Sequence, residues 1–226
     1  MTTTEPLRVL ITGGSSGIGL ATAQRFAAAG ARVISLDIAA PPPGSGVPWV
    51  EADVADDDQV RAAVERAVTT LGGLDVLVNN TGIGAQGTIE DNDDAQWHRV
   101  LDVNVIGMVR VSRAALPHLR RSTRAAIVNT CSIAATAGLP QRALYSASKG
   151  AVASLTLAMA ADHLREGIRV NCVNPGTADT PWIGRLLDAA ADPAAERAAL
   201  AARQPQGRLV SAQEVAEAIV YLGSPG

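Results

Sequence analysis

The sequence lacks the surplus of positive charge that a nucleic-acid partner would require. Its 19 lysines and arginines stand against 22 aspartates and glutamates, for a net charge of -3. A nucleic-acid function is therefore not expected. Histidine is scarce too: His98, His118 and His163 are scattered and show no metal-ligand spacing, so no metal site is expected. The two cysteines, Cys131 and Cys172, form no C-x-x-C pair and each lies in an apolar, strand-like run. They read as buried free thiols in a cytoplasmic setting rather than as a disulfide. No uninterrupted apolar run approaches the ~20 residues of a membrane span. The segment from Met1 to Leu7 has no basic stretch followed by an apolar core, so no secretory leader is expected. Internal repeats are missing as well.

What is present suits one α/β domain over residues 1–226: 226 residues, 47% hydrophobic and 18% charged. Arg8-Val9-Leu10-Ile11 reads as a short buried strand, and Thr12-Gly13-Gly14-Ser15-Ser16-Gly17-Ile18-Gly19 follows at once. An alanine-rich helix from Leu20 to Ala29 then stops at Gly30. A glycine turn between strand and helix lets the backbone approach a pyrophosphate, and the helix N-terminus supplies free N–H groups. Gly13 to Gly17 also fits the G-x-S-x-G elbow of hydrolases, with Ser15 as nucleophile. That elbow needs several strands before it, and only one precedes it here. A P-loop is excluded because no Lys-Ser or Lys-Thr follows the glycines.

The next strand, Arg32 to Asp37, ends on a carboxylate that can accept hydrogen bonds from a ribose and would repel a 2′-phosphate. This selects NAD over NADP. Further along, Trp49 to Glu51 is a short strand. Ala52-Asp53-Val54 can flank an adenine, although Asp53 can equally cap the helix predicted over Asp56 to Leu71. The apolar strand Val76 to Val78 runs into Asn79-Asn80-Thr81-Gly82, where Asn79 reads as structural and Gly82 as a close approach to cofactor. A long helix is expected from Asp93 to Leu119, with Asn104 buried in it and able to bend it around a water. Ala126 to Ser132 is a strand and its end, and Ile168 to Val173 another, turning at Asn174-Pro175-Gly176-Thr177. This alternation implies a doubly wound parallel sheet. Residues 177–207 read as a lid over the sheet's carboxyl edge, and Ser211 to Glu214 as a capping box opening a last helix.

Tyr145 and Lys149 stand four residues apart in a helix pattern running to about Glu166. They share one helix face. A free phenol has a pKa near ~10, and an adjacent ammonium favours the phenolate. The pair is a candidate proton donor and acceptor. Ser132, beyond a strand's carboxyl end, sits where an active-site hydroxyl belongs.

Taken in order, Thr12-Gly13-x-x-x-Gly17-Ile18-Gly19, Asn79-Asn80-Thr81-Gly82, Asn104, Ser132, Tyr145-x-x-x-Lys149 and Asn174-Pro175-Gly176-Thr177 resemble the classical short-chain dehydrogenase/reductase family over nearly the whole chain. The resemblance implies a Rossmann-type fold and hydride transfer between NAD and a secondary alcohol or ketone. Tyr145 would be the acid/base, Ser132 would hold the substrate oxygen, Lys149 would lower the Tyr145 pKa and bind ribose, and Asn104 would hold a relay water. Gly13, Ser15, Ser16, Gly17, Ile18, Asp37, Asp53, Val54, Asn80, Gly82, Pro175, Gly176 and Thr177 would line the NAD. A homo-oligomer, dimer or tetramer, is implied, and a small-molecule substrate, with a faint cue toward sugars, polyols and hydroxy acids. Two departures stand out: Thr81 replaces the usual Ala, and the family's seventh strand is missing, so six are expected. A catalytically idle NAD-binding regulator is the alternative function.

Overall fold

Six parallel strands in the order β3-β2-β1-β4-β5-β6 form the centre of this computed structural model, which describes residues 5–188 and 190–225. Residues 1–4, where the reading of an absent leader begins, lie outside the described residues, as do Ala189 within the 177–207 segment and Gly226. The strands are β1 (Arg8–Thr12), β2 (Arg32–Asp37), β3 (Trp49–Glu51), β4 (Val76–Asn79), β5 (Ala126–Thr130) and β6 (Arg169–Val173). The order reverses beside β1, so a crevice opens at the carboxyl ends of β1 and β4, the place where such sheets bind ligands. As expected, six strands are found, with β6 at one edge.

Helices α1 (Gly17–Ala28) and α8 (Ala212–Gly223) pack on one face of the sheet, where Phe26, Val9, Val78 and Ile219 share a core. On the other face α2 (Asp57–Leu71), α4 (Gly107–Leu119) and α5 (Ala143–His163) surround Leu10, Leu77 and Ile127. Successive strand residues thus feed opposite cores, and the central strands are apolar on both sides. The α1 helix starts three residues earlier than predicted, at Gly17 behind the Ser16 N-cap. Asp56, not Asp53, caps α2, accepting from the N–H groups of Asp58 and Gln59. Asp53 instead closes a local turn onto the Ala55 N–H at 2.9 Å.

The predicted long helix is three pieces: α3 (Asp94–Leu101), a π-helical turn over Asp102–Ile106, and α4. The expected bend at Asn104 is thus a wide turn, a form that recurs at functional sites. After β6, the strand β7 (Ala178–Asp179), the helices α6 (Pro181–Asp188) and α7 (Pro193–Ala202) and the strand β8 (Val210–Ser211) form a small subassembly over Ile183, Leu187, Leu200 and Leu209. The β7–β8 pairing was not foreseen, because two-residue strands carry no periodicity. No described helix is long and apolar enough to cross a membrane.

Candidate active site

The glycine turn closes against its neighbours so tightly that side chains are excluded. A Cβ on Gly19 would overlap the Gly13 carbonyl and stand 2.5 Å from Asn80 Nδ2. Gly13 and Gly17 have φ of +66° and +51°, which L side chains rarely adopt. Ser16 is the N-cap of α1 yet makes no side-chain cap bond, and no acid occupies the first turn. Helices α2, α3, α7 and α8, by contrast, are capped by Asp56, Asp93, Asp192 and Ser211. An uncapped N-terminus behind a bare-backbone cradle fits a pyrophosphate. Ser15 Oγ is buried with no partner. With neither access nor a base, it does not serve as a hydrolase nucleophile, and that reading is set aside.

Asp37 reaches back to this turn, accepting from the Ser15 N–H at 3.0 Å and the Ala39 N–H at 3.2 Å. Val54 is buried and approaches the π-helical turn so closely that a Cβ on Gly107 would stand 2.8 Å from its Cγ2. Asn80 binds three strand ends together: its Nδ2 donates to the carbonyls of Thr12 and Gly13 at 3.2 and 3.1 Å, and its Oδ1 accepts from Thr130 Oγ1 at 3.3 Å. Asn79 is structural as read: its Nδ2 donates to Ser112 Oγ and Asn129 Oδ1 at 3.0 and 2.9 Å, joining β4 to β5 and α4. Its Oδ1 has no partner, and Asn79 lines a cavity of about 10 Å³ together with Thr12, Asn104 and Thr130. That is room for about one water.

Ser132, Tyr145 and Lys149 converge. Ser132 follows β5, is 8% exposed, and accepts from the Ala134 N–H at 3.1 Å. Its hydroxyl lies close enough to the Tyr145 phenol to favour the phenolate. Lys149 is buried and donates to the Thr130 carbonyl at 2.8 Å, with its Nζ 5.8 Å from the centre of the Tyr145 ring. Burial pushes the ammonium down to about 8. Burial pushes the phenol up, outweighing the Ser132 hydroxyl and the charge of Arg142. The expected depression of the Tyr145 pKa is therefore reversed in the chain alone, because loss of water penalises the phenolate more than these neighbours favour it.

Asn104 faces the same place, but its side chain is fully engaged. Its Oδ1 accepts from the Ile83 N–H at 2.7 Å, and its Nδ2 donates to the Ile83 carbonyl at 2.9 Å and to Ser148 Oγ at 3.0 Å. A Cβ on Gly82 would stand 3.3 Å from Asn104 Oδ1 and 3.4 Å from Lys149 Nζ, so Gly82 passes directly over the pair. Pro175 accepts the Ile133 N–H at 3.0 Å. Gln204 accepts the Thr177 N–H at 3.3 Å and donates to its hydroxyl at 3.1 Å, and a Cβ on Gly176 would overlap that Gln204 amide. Ser16 and Ile18 lie at the rim of the cradle, exposed and half-buried. Thr12, quoted from the sequence only as the head of the glycine motif, has a hydroxyl that accepts from the Asn80 and Thr81 N–H groups at 3.0 and 3.1 Å. Sequence reasoning missed Gly107 and Gln204. A glycine three residues after a buried helical Asn was the one available signal.

The short chain dehydrogenase family model matches residues 8–190. The chain is 41% identical over 225 residues to cis-4-hydroxycyclohexanecarboxylate dehydrogenase of Sinomonas cyclohexanicum, covering 95% of this chain and 88% of that one. It is 37% identical over 223 residues to mouse (Mus musculus) L-fucose dehydrogenase, covering 96% and 81%. Thermoplasma acidophilum aldohexose dehydrogenase, solved ligand-free, superposes with a TM-score of 0.91 at 35% identity, covering 97% of this chain and 88% of that one. A parallel six-stranded sheet, an uncapped glycine cradle and a clustered hydroxyl, phenol and ammonium thus coincide with homology along nearly the full length: the chain belongs to the short-chain dehydrogenase family and is an oxidoreductase.

Proposed function

We propose that this enzyme moves a hydride between NAD and a secondary alcohol or its ketone, the alcohol being borne on a sugar, polyol or hydroxy acid. The observation that carries the reading is the convergence of Ser132, Tyr145 and Lys149 beside the uncapped start of α1. The nicotinamide, when bound, supplies the hydride acceptor or donor. The chain supplies the rest. Gly13, Ser15, Ser16, Gly17 and Ile18 form the pyrophosphate cradle, and Asp37 accepts the ribose hydroxyls, which selects NAD. Asp53, Val54, Asn80 and Gly82 line the adenosine and nicotinamide halves, and Pro175, Gly176 and Thr177 close over the carboxamide.

Ser132 Oγ donates to the substrate oxygen and stabilises the charge that develops there. Tyr145 takes the alcohol proton in oxidation and returns it in reduction. Lys149, protonated below about pH 8, favours the phenolate and holds the nicotinamide ribose. Asn104 holds a water that relays protons from Lys149 to solvent, while its side-chain amide fixes Ile83. Residues 177–207 act as the substrate lid, which belongs to a single domain spanning 1–226. We place the enzyme in the cytoplasm as a homo-oligomer.

The relatives named above act on a hydroxycyclohexanecarboxylate and a sugar, and both chemistries belong in the first screen, read by NADH absorbance. Tyr145→Phe should lower kcat at least about a thousandfold while NADH affinity, read by fluorescence titration, stays within about threefold. Undiminished turnover in that variant would remove Tyr145 as the base.

A further inference from the structure

Three residues before Tyr145, the chain spends unusual effort to hold an arginine in place. Gln141 has φ +57°, the only positive φ among the described non-glycine residues. Such strain persists where the surroundings dictate it, and it clusters at ligand sites. Here Gly87 dictates it: the Gly87 N–H donates to the Gln141 carbonyl at 3.1 Å and the Ala143 N–H donates to the Gly87 carbonyl at 3.2 Å. The residue between them, Arg142, is the N-cap of α5 and makes no cap bond. Arg142 and Tyr145 occupy N-cap and N3, so their side chains are neighbours across the first turn.

The Arg142 guanidinium is partly buried, and its hydrogen bond goes to the carbonyl of its own neighbour, Gln141, at 3.1 Å. No carboxylate pairs with it among the described residues. Burial first, and then the charge of Arg203, work against it, while Tyr145 and Glu196 act in its favour. Glu196 is already paired with Arg203 at 3.7 Å. Arg142 therefore brings a positive charge to the turn that carries Tyr145, and the nearest charge in its favour, Glu196, is committed to Arg203. A half-buried guanidinium without an anion is costly, and a planar fork is the group that recognises a carboxylate in two-point fashion.

We propose that the substrate is a hydroxy acid whose carboxylate is bound by Arg142, at the mouth of the cleft, while Tyr145 works on its hydroxyl. This rests on the dehydrogenase reading and narrows its substrate class. Arg142 is then the residue that discriminates a hydroxy acid from a neutral sugar or polyol. Binding would supply the negative charge that Arg142 lacks.

The test pairs 3-hydroxybutyrate, lactate and 4-hydroxycyclohexanecarboxylate each with its own neutral carboxamide. NADH formation is followed with wild type, Arg142→Met and Arg142→Lys. Wild type should prefer at least one acid over its amide by about thirtyfold or more in kcat/KM. Arg142→Met should erase that preference, mainly through KM for the acid, and Arg142→Lys should restore part of it. Equal losses on acid and amide would assign Arg142 a structural role and overturn the inference. Wild-type turnover of amides, sugars or polyols but not of the acids would overturn it and leave the dehydrogenase reading standing. If nothing turns over, cyclohexanecarboxylate is titrated calorimetrically into the protein with NADH. Binding lost in Arg142→Met would keep the anion site and remove the reaction, and no binding to wild type would remove the site.

Discussion

Asp37 serves the fold and the proposed cofactor with one carboxylate. Its two oxygens already accept from the Ser15 and Ala39 N–H groups at 3.0 and 3.2 Å, and an oxygen has a second lone pair for a ribose hydroxyl. Asp37→Ala should raise KM for NAD about tenfold or more, the scale of one lost charged hydrogen bond, and ease use of NADP by removing the repulsion. Initial rates with both cofactors measure this, and a wild type that already prefers NADP would refute the assignment. At this scale the sequence was informative where a side chain has one plausible job. Ser132, Tyr145 and Lys149 were legible from helix spacing and strand ends. Asn104 was legible as a buried amide that needs partners, but not its partners, Ile83 and Ser148, which lie 21 and 44 residues away. The rise of the Tyr145 pKa in the chain alone was not legible, because burial cannot be weighed against a neighbouring charge before the fold is known.

Among the elements, α1 carries the tightest constraint. Its third residue, Gly19, lies against the Gly13 carbonyl and the Asn80 amide, so the strand–turn–helix can close only without a Cβ there. Gly19→Ala should cost about 2 kcal/mol of stability, as overpacked sites do, and should weaken NADH binding because the cradle must open. Denaturant melts and a fluorescence titration read the two effects, and an Ala variant with wild-type values of both would show that the turn is slack. The Asp93 to Leu119 stretch shows the limit of pattern reading. Apolar periodicity carries through a π turn almost unchanged, so one continuous helix was expected. The insertion is decided by Asn104 clamping the Ile83 backbone and by Val54 crowding Gly107. Both are contacts from other elements. The ends of α2 and α8 were legible, since Asp56 and the Ser211–Glu214 capping box act locally.

Across the whole molecule, the end of the sheet opposite the site is held by one buried acid. Asp75, just before β4, is 1% exposed and takes both oxygens of its carboxylate to Arg8 at 2.8 and 2.9 Å, with Ser122 at 2.6 Å and Arg124 at 3.2 Å. Three strands, β1, β4 and β5, are joined at their origins. Burial pushes the Asp75 carboxyl up, but the hydrogen bonds from Arg8 and Ser122 outweigh it and hold it at about 2. Its folded pKa lies below the unfolded value of ~3.9, so the group contributes about 2–3 kcal/mol at neutral pH. That contribution is complete above the unfolded pKa and is lost as pH falls toward 2. Asp75→Asn should therefore be destabilised at pH 7, and the gap to wild type should shrink below pH 4 in urea melts. A gap independent of pH would mean that the ion network contributes only packing. By itself the sequence determined the alternation of strands and helices, the glycine turn and the candidate residues Ser132, Tyr145 and Lys149, because each depends on local spacing and on backbone geometry within a few residues, and the order of its motifs carried the family resemblance. The tertiary structure decided the sheet order, the π turn, the burial of the Tyr145 phenol and the half-buried, unpaired charge of Arg142, because each is set by groups that meet only after the chain has crossed the sheet.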